Sequence, residues 1–356
     1  MAYRLCESIR GLEPYEPISG HYDIRLDANE SFLPLPTELI EQATLDALND
    51  KTNRYPDPAA ALICKAFAEL YGVPRELVTA GNGSDELISL IAGAFFEPGE
   101  ELVTLDMDFS MYRFYGEVFH TKVTVLPKTD DLTVDVDSVI SYIQESGARG
   151  LIFSNPCNPT SLCLSRKQIL RLIKSVPNCL VVVDEAYMDF ADSSVLDDVE
   201  DYENLMVLRT CSKAFGLAAI RLGFAVANST LTNALRAVKS PYNINALTQS
   251  VGYQVLQDGD YLIDCIDNLI HSRDKLYSGA LFVHARHKLI HEVYPTATNF
   301  VLLETPKAVE IHAALLEQSI AVRLVGNRYL RISAGTKHEN EAVLSALDDI
   351  LDEMEH

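Results

Sequence analysis

The sequence predicts an α/β fold, in which a large domain with a mainly parallel central sheet flanked by helices is followed by a smaller α+β domain. Three observations carry this expectation. From Leu77 onward, short apolar runs alternate with helix-period segments, the pattern of the strand–helix–strand units that build parallel sheets. Two of the runs, Leu180-Val181-Val182-Val183 and Met206-Val207-Leu208, lack any polar alternation, as strands covered on both faces do. The turns behind the runs gather glycines, Asn-Pro pairs, hydroxyl residues and a lysine, at the edge where such sheets hold ligands.

Taken in order, residues 1–35 are punctuated by Pro14, Pro17 and Pro34 and read as an irregular arm that returns to pack with the C-terminal domain. A helix is expected over 37–49 behind a Thr37 cap, and a second over 59–71 after the loop 53–58. Strands are expected at 77–80, 101–106, 122–126, 150–154, 180–183, 206–208 and 223–227. Helical patterns lie between them, one reaching to about 96 and another over 136–144. A helix-rich stretch runs from 231 to 287. Beyond it, short strands near 289–293, 299–304, 320–324 and 329–333 alternate with helices near 308–318 and 338–354. The expected division is 1–35 for the arm, 36–250 for the large domain and 251–356 for the small one. No internal repeat is visible.

With 356 residues and 48% hydrophobic content, the chain can bury more than one core. Its net charge of −22 argues against a nucleic-acid partner. The acidic loop 197–203 reads as a solvated surface. There is no N-terminal apolar leader and no run long enough to cross a bilayer, so no membrane partner and a cytoplasmic location are expected. The seven cysteines are scattered, odd in number and without paired ligand spacing. They read as free thiols in a reducing compartment, with no metal site.

The chemistry concentrates in the turns. Lys213 follows an apolar strand in Thr210-Cys211-Ser212-Lys213. It is either a surface lysine in an ordinary loop or an amine whose desolvation makes it nucleophilic enough for a Schiff base. Thr210, Ser212 and Arg221 supply two hydroxyls and a permanent cation around it, a set that suits phosphate. In Gly81-Asn82-Gly83-Ser84-Asp85-Glu86, glycines permit close backbone approach and a helix start favours an anion. Asp85 and Glu86 equally fit as first-turn acids, and the third glycine of a dinucleotide motif is missing. Phe109 either stacks on a flat ligand or belongs to the core. Two Asn-Pro pairs shape the loop that fixes the Asn158 amide, a donor suited to a phenolate oxygen. Asp184, ending the most apolar strand, needs a partner. That partner is either a protonated ring nitrogen, with Tyr187 reaching the ring's other side, or the backbone of the next turn. Arg323 and Arg331 lie on strands, as clamps for a carboxylate or phosphate or as solvated edge residues.

Together, Gly83-Ser84-Asp85, Asn155-Pro156-x-Asn158-Pro159-Thr160, Asp184-Glu185-Ala186-Tyr187 and Ser212-Lys213-Ala214-Phe215-Gly216 resemble the motifs of the fold-type-I pyridoxal-phosphate aminotransferases. Within that superfamily the chain most resembles the histidinol-phosphate aminotransferases. The likeness spans nearly its whole length, including Pro14-Tyr15, Asn29-Glu30, Arg54-Tyr55-Pro56 and Leu330-Arg331-Ile332-Ser333. The resemblance implies pyridoxal 5'-phosphate as cofactor, bonded to Lys213. Asp184 is then placed on the pyridine nitrogen, Asn158 and Tyr187 on the ring hydroxyl, and Phe109 against the ring. Gly83, Ser84, Asp85, Thr210, Ser212 and Arg221 surround the phosphate, and Tyr55 reaches the neighbouring subunit's cofactor in a homodimer. Arg331 takes the substrate carboxylate, while Tyr15, Tyr55 and Arg323 surround the substrate's phosphate end with Asn29 nearby.

The implied reaction moves an amino group between L-histidinol phosphate and 2-oxoglutarate, two small molecules, in histidine biosynthesis. An aromatic aminotransferase and an L-threonine-O-3-phosphate decarboxylase are alternatives on the same fold, and a non-enzymatic sensing module is disfavoured by the acidic charge. The chain departs from the family pattern at Phe109, where tyrosine is usual, at Cys157 and Ser161 for asparagine and glycine, and at Ala219 for a glycine. Ser161 is expected to reshape its loop, because a glycine there allows positive φ.

Overall fold

The computed structural model describes residues 3–5, 10, 12, 18–49 and 53–356. The readings of Pro14, Tyr15 and Pro17 lie outside the described residues. The described chain enters the fold through β1 (Ile24–Leu26) and two helices, α1 (Thr37–Asn49) and α2 (Ala61–Tyr71). Helix α2 starts after Ala60, whose left-handed backbone (φ 46°) turns the loop into the helix two residues later than expected.

Seven strands then build the larger sheet: β2 (Val78–Asn82), β3 (Glu101–Leu105), β4 (Lys122–Leu126), β5 (Gly150–Ser154), β6 (Leu180–Asp184), β7 (Leu205–Thr210) and β8 (Leu222–Ala227). They lie in the order β2-β8-β7-β6-β5-β3-β4. The run from β4 through β7 is parallel. Every residue of β5 and β7 is buried, which is why those segments carry no polar alternation. β8 is antiparallel to both neighbours. A parallel return needs a crossover of a dozen or more residues, and the connection from Thr210 to Leu222 is a short irregular turn carrying Lys213 and Arg221.

Helices α3 (Gly83–Ala94), α4 (Met111–Val118), α5 (Val136–Ser146) and α6 (Arg166–Ser175) cover this sheet. α5 begins at the Asp135 cap and stops at Gly147 (φ 72°), slightly beyond its expected end. α6 was not among the expected helices, although Ser165 and Gln168 form a capping box that marks its start.

Three helices follow, α7 (Ser229–Val238), α8 (Ala246–Gln257) and α9 (Gly259–Arg286). The smaller sheet combines β9 (Glu292–Val293), β10 (Phe300–Glu304), β11 (Ile320–Val325) and β12 (Tyr329–Ser333), with α10 (Ala308–Glu317) and α11 (Lys337–Glu355) packed on it. Its order is β1-β11-β12-β10-β9, with β1 parallel to β11. Part of the arm expected to be irregular is thus a strand, whose partner lies at the far end of the chain.

The larger sheet carries a hydrophobic core on each face, the smaller sheet has its own, and α9 serves one core of each sheet. Leu262 and Leu269 pack in the larger core, as do Val251 and Val255 of α8, while Leu276, Ala280 and Val283 pack in the smaller one. The change of core therefore falls inside α9, and we propose to divide the chain there instead of at 250/251. Among the described residues no helix is long and apolar enough to cross a membrane.

One contact fixes the start of α3 against the sheet. A Cβ on Gly223 of β8 would stand 2.4 Å from the Ser84 nitrogen and 2.7 Å from the Gly83 carbonyl carbon. Backbone cannot swing aside as a flexible side chain can, so only glycine fits. Gly223→Ala is expected to cost about 1–3 kcal/mol of stability, measured by urea unfolding. An unchanged midpoint would mean that the α3 start is free to move.

Candidate active site

The strands end where the chemistry-bearing residues lie. Ser154, Asp184 and Thr210 are the last residues of β5, β6 and β7, and β2 runs directly into α3 at Gly83. A cavity of about 120 Å³ at these ends is lined by Ser84, Asp85, Phe109, Asn158, Asp184, Tyr187, Thr210, Ser212, Lys213 and Arg221. Gly83 stands against it at φ 76°, where a Cβ would meet the Arg221 guanidinium at 2.5 Å. Residues spread over more than a hundred positions of sequence thus meet at one sheet edge.

Asp184 is 3% exposed. Tyr112 Oη donates to its Oδ2 at 2.8 Å, and the Ala186 N–H donates to Oδ1 at 3.1 Å. Burial pushes its carboxyl up to about 7, against the pull of those two donors. Behind it, Glu185 and Asp189 hold the buried Arg209 at 3.4 and 3.0 Å, and the Arg209 guanidinium lies 4.4 Å over the Tyr71 ring. This network anchors the turn that carries Asp184 to Tyr187.

The opposite end of the cavity favours an anion. Thr210 Oγ1 donates to Ser212 Oγ at 3.0 Å and accepts the Ser212 N–H at 3.2 Å, so the two hydroxyls are locked side by side. Arg221 adopts a left-handed backbone (φ 56°) and pairs with Asp85 at 3.1 Å. With the N-terminus of α3 beside them, the guanidinium and hydroxyls form a site suited to phosphate.

Between the two ends, Lys213 Nζ donates to the Ala28 carbonyl at 3.0 Å and lies 6.0 Å from the Tyr187 ring centre. Tyr187 Oη accepts from Asn29 Nδ2 at 2.8 Å, and Asn29 Oδ1 accepts from Ser333 Oγ at 3.1 Å. The resemblance put Asn29 beside the substrate's phosphate end. In the structure it lines a cleft together with Arg323 and Arg331, while both ends of its buried amide are engaged within the protein and its Nδ2 orients Tyr187.

A wider cleft of about 720 Å³ shares Phe109, Asn158, Tyr187 and Lys213 with the cavity and extends to Arg25, Arg323 and Arg331. Arg323 and Arg331 are directly opposed across β11 and β12, so both project from the same face of the sheet. They line the cleft and are not solvated edge residues. Arg331 donates to Asn158 Oδ1 and, at 2.6 Å, to the Asp27 carbonyl. Tyr55 is not brought to this cavity. It is 79% exposed and stacks on Tyr242 with ring centres 4.5 Å apart. Tyr15 lies outside the described residues.

The profile of a family described as "Aminotransferase class I and II" matches residues 22–347. The chain belongs to that aminotransferase family. It is 38% identical to the histidinol-phosphate aminotransferase of Clostridium novyi (strain NT), covering 96% of this chain and 95% of that one. It is also 38% identical to the histidinol-phosphate aminotransferase of Clostridium kluyveri (strain ATCC 8527), with 97% and 98% covered. Among solved structures, the fold is similar to that of histidinol-phosphate aminotransferase from Sinorhizobium meliloti in complex with pyridoxal-5'-phosphate. That match has a TM-score of 0.88 at 23% identity, with 99% of each chain covered.

In this aminotransferase the serine at 161 adopts a backbone conformation that favours glycine. Ser161 keeps positive φ (64°), and its Oγ lies 2.9 Å from Thr296 Oγ1 and 2.7 Å from Thr298 Oγ1. Those hydroxyls offset the strain that a side chain brings to that conformation. Phe109 keeps its place in the cavity wall, packed edge-on against Tyr112 at 5.5 Å. The sequence reading assigned Tyr112 no role. It also missed Asp108, whose carboxylate accepts from Ser154 Oγ while that oxygen accepts the Asn158 N–H at 3.1 Å.

The raised Asp184 carboxyl gives a pH signature to the cofactor-free protein. Its folded pKa lies above the ordinary value of 3.8, so the native state binds more protons than the unfolded chain between that value and about 7. Ionising it in the fold costs stability, a cost absent at low pH and complete above about 7. Asp184→Asn removes that cost. Relative to wild type, the variant is expected to gain on the order of 1 kcal/mol or more between pH 4 and pH 8, measured by urea unfolding at both. A constant difference would show a normally titrating carboxylate.

Proposed function

We propose that this aminotransferase converts L-histidinol phosphate and 2-oxoglutarate to imidazole acetol phosphate and L-glutamate, with pyridoxal 5'-phosphate as cofactor. The observation that carries this reading is a single cavity joining an amine, a buried carboxyl and an anion cradle, opening on a cleft with two opposed arginines. The residues fit the cofactor. Arg221, Ser84, Ser212 and the start of α3 match its phosphate, and the desolvated Asp184 carboxyl matches a ring N–H. Asn158 and Tyr187 stand beside the space for the ring hydroxyl, with Phe109 forming a wall.

When bound, pyridoxal phosphate supplies an electron sink that acidifies the donor's α-carbon. Lys213 would hold the cofactor, and its Nζ would move the proton at the donor's α-carbon. Asp184 would keep a proton on the ring nitrogen, with Tyr112 fixing the Oδ2 oxygen of its carboxyl. Arg331, opposed to Arg323, binds the carboxylate of the 2-oxo acid, and Arg323 takes the second anion at the cleft's far end. Histidinol phosphate has no carboxylate but carries a phosphate, so it uses the Arg323 end.

We also assign the protein a homodimer in which Tyr55 serves the neighbouring site. Leu45, Leu48 and Leu62, on the same two helices that flank the Tyr55 loop, are each more than half exposed, as an interface would require. Mixing inactive Lys213→Ala and Tyr55→Ala chains is expected to restore part of the activity, whereas two non-communicating monomers would stay inactive.

Borohydride reduction followed by peptide mapping is expected to mark Lys213. A modified peptide lacking Lys213 would remove it from the mechanism. For the substrate, histidinol phosphate is expected to exceed histidinol and phenylalanine by at least roughly 100-fold in kcat/KM, because losing a buried charge partner costs about 2–5 kcal/mol. Arg323→Ala is expected to shrink that preference while leaving the spectrum of the bound cofactor intact. Phenylalanine matching histidinol phosphate would instead favour an aromatic aminotransferase, and carbon dioxide release from phosphothreonine a decarboxylase.

A further inference from the structure

A group of cations lies outside the cleft, beside β2. This strand is at the edge of the larger sheet, paired only with β8. Next to it is a cavity of about 560 Å³ lined by Arg75, Arg236 and Lys239, with Glu76 also in the wall. In a chain of net charge −22, three cations around one cavity need an explanation. Arg75 Nε donates to the Ala61 carbonyl at 3.4 Å and Arg236 Nη2 to the Val78 carbonyl at 2.9 Å. Lys239 Nζ donates to the Pro58 carbonyl and to Asn243 Oδ1, both at 3.0 Å. These acceptors are neutral oxygens, and among the described residues none of the three cations forms an ion pair with a carboxylate. Thr79, also in the wall and 2% exposed, has a hydroxyl with no hydrogen-bond partner. Surfaces such as Ala80 and Pro241 make much of the remaining wall apolar.

We propose that this cavity binds an organic phosphate monoester, at a site separate from the catalytic cleft. A phosphate monoester carries nearly two negative charges and three strong acceptor oxygens, which matches three cations set against the single carboxylate of Glu76, and a spare hydroxyl. The cavity is far larger than a phosphate group, and its volume lies in the range that accommodates small organic ligands against apolar walls. Binding there has a path to the anion cradle. Asn243, which Lys239 holds, donates to Glu86 Oε2 at 2.8 Å, and Glu86 Oε2 also accepts the Asn82 N–H at 2.6 Å, just ahead of Ser84. A ligand that draws Lys239 from Asn243 therefore acts on the start of α3. That regulatory consequence rests on the proposed function, whereas the binding does not.

The test is calorimetry with phenyl phosphate on cofactor-loaded protein carrying Arg323→Ala, so that the cofactor cradle is filled and the cleft's anion end is weakened. Binding is expected there, and adding Arg75→Gln and Arg236→Gln is expected to weaken it at least roughly tenfold. Inorganic phosphate is expected to compete, and benzoate, a monoanion on the same ring, to bind more weakly than phenyl phosphate. Should the double substitution fail to fold, as judged by the absorbance of the bound cofactor, Lys239→Met alone is expected to weaken binding in the same direction. No heat with the Arg323→Ala protein, equal affinity in the substituted proteins, or benzoate matching phenyl phosphate would overturn the site. Each of these outcomes leaves the transamination reading standing.

Discussion

A carboxyl group buried at the end of a central strand is the constraint around which this active site is built. Asp184 lies in the interior of a sheet whose neighbouring strands are wholly buried, and its desolvation places it near the boundary between charged and neutral. Tyr112 from α4 and the Ala186 amide satisfy its two oxygens from within the protein. Neither donor is cationic, so a positively charged ring nitrogen remains the partner that would favour the ionised form. The same turn is anchored from behind by Arg209, buried between Glu185 and Asp189. Without Arg209 the two carboxylates would be buried together with no cation between them, which ties the position of Tyr187 to packing on the far side of the strand.

The smaller sheet supplies what the larger one lacks. Its β11 and β12 bring Arg323 and Arg331 face to face at the cleft, and Arg331 reaches across to Asn158 on the larger sheet's loop. Asn29 closes the same boundary from the N-terminal side by joining Ser333 to Tyr187. Since α9 is packed into one core of each sheet, the two halves share a continuous support. The residues of the cavity and those of the wider cleft are therefore positioned by one connected framework.

Most strands and helices were legible in the sequence because their signals are local. The valine run of β6, the helical period over 136–144 and the apolar run of β7 each lie within a dozen residues. The turn chemistry was legible for the same reason, since glycine, Asn-Pro and Ser-x-Lys sequences restrict the backbone wherever they occur. The start of α6 is equally local, because its capping box is written at Ser165 and Gln168.

By itself, then, the sequence determined the alternating architecture, the strand-end turns and the types of group available for catalysis. The tertiary structure decided which groups meet. β1 is a strand only because β11 pairs with it, and Tyr112 matters only because α4 delivers its hydroxyl to Asp184. Ser161 holds a conformation suited to glycine only because two threonines from a distant loop bond its hydroxyl. Pairing partners, burial and the resulting shift of a carboxyl group depend on residues far apart in the chain, and no local period encodes their distance.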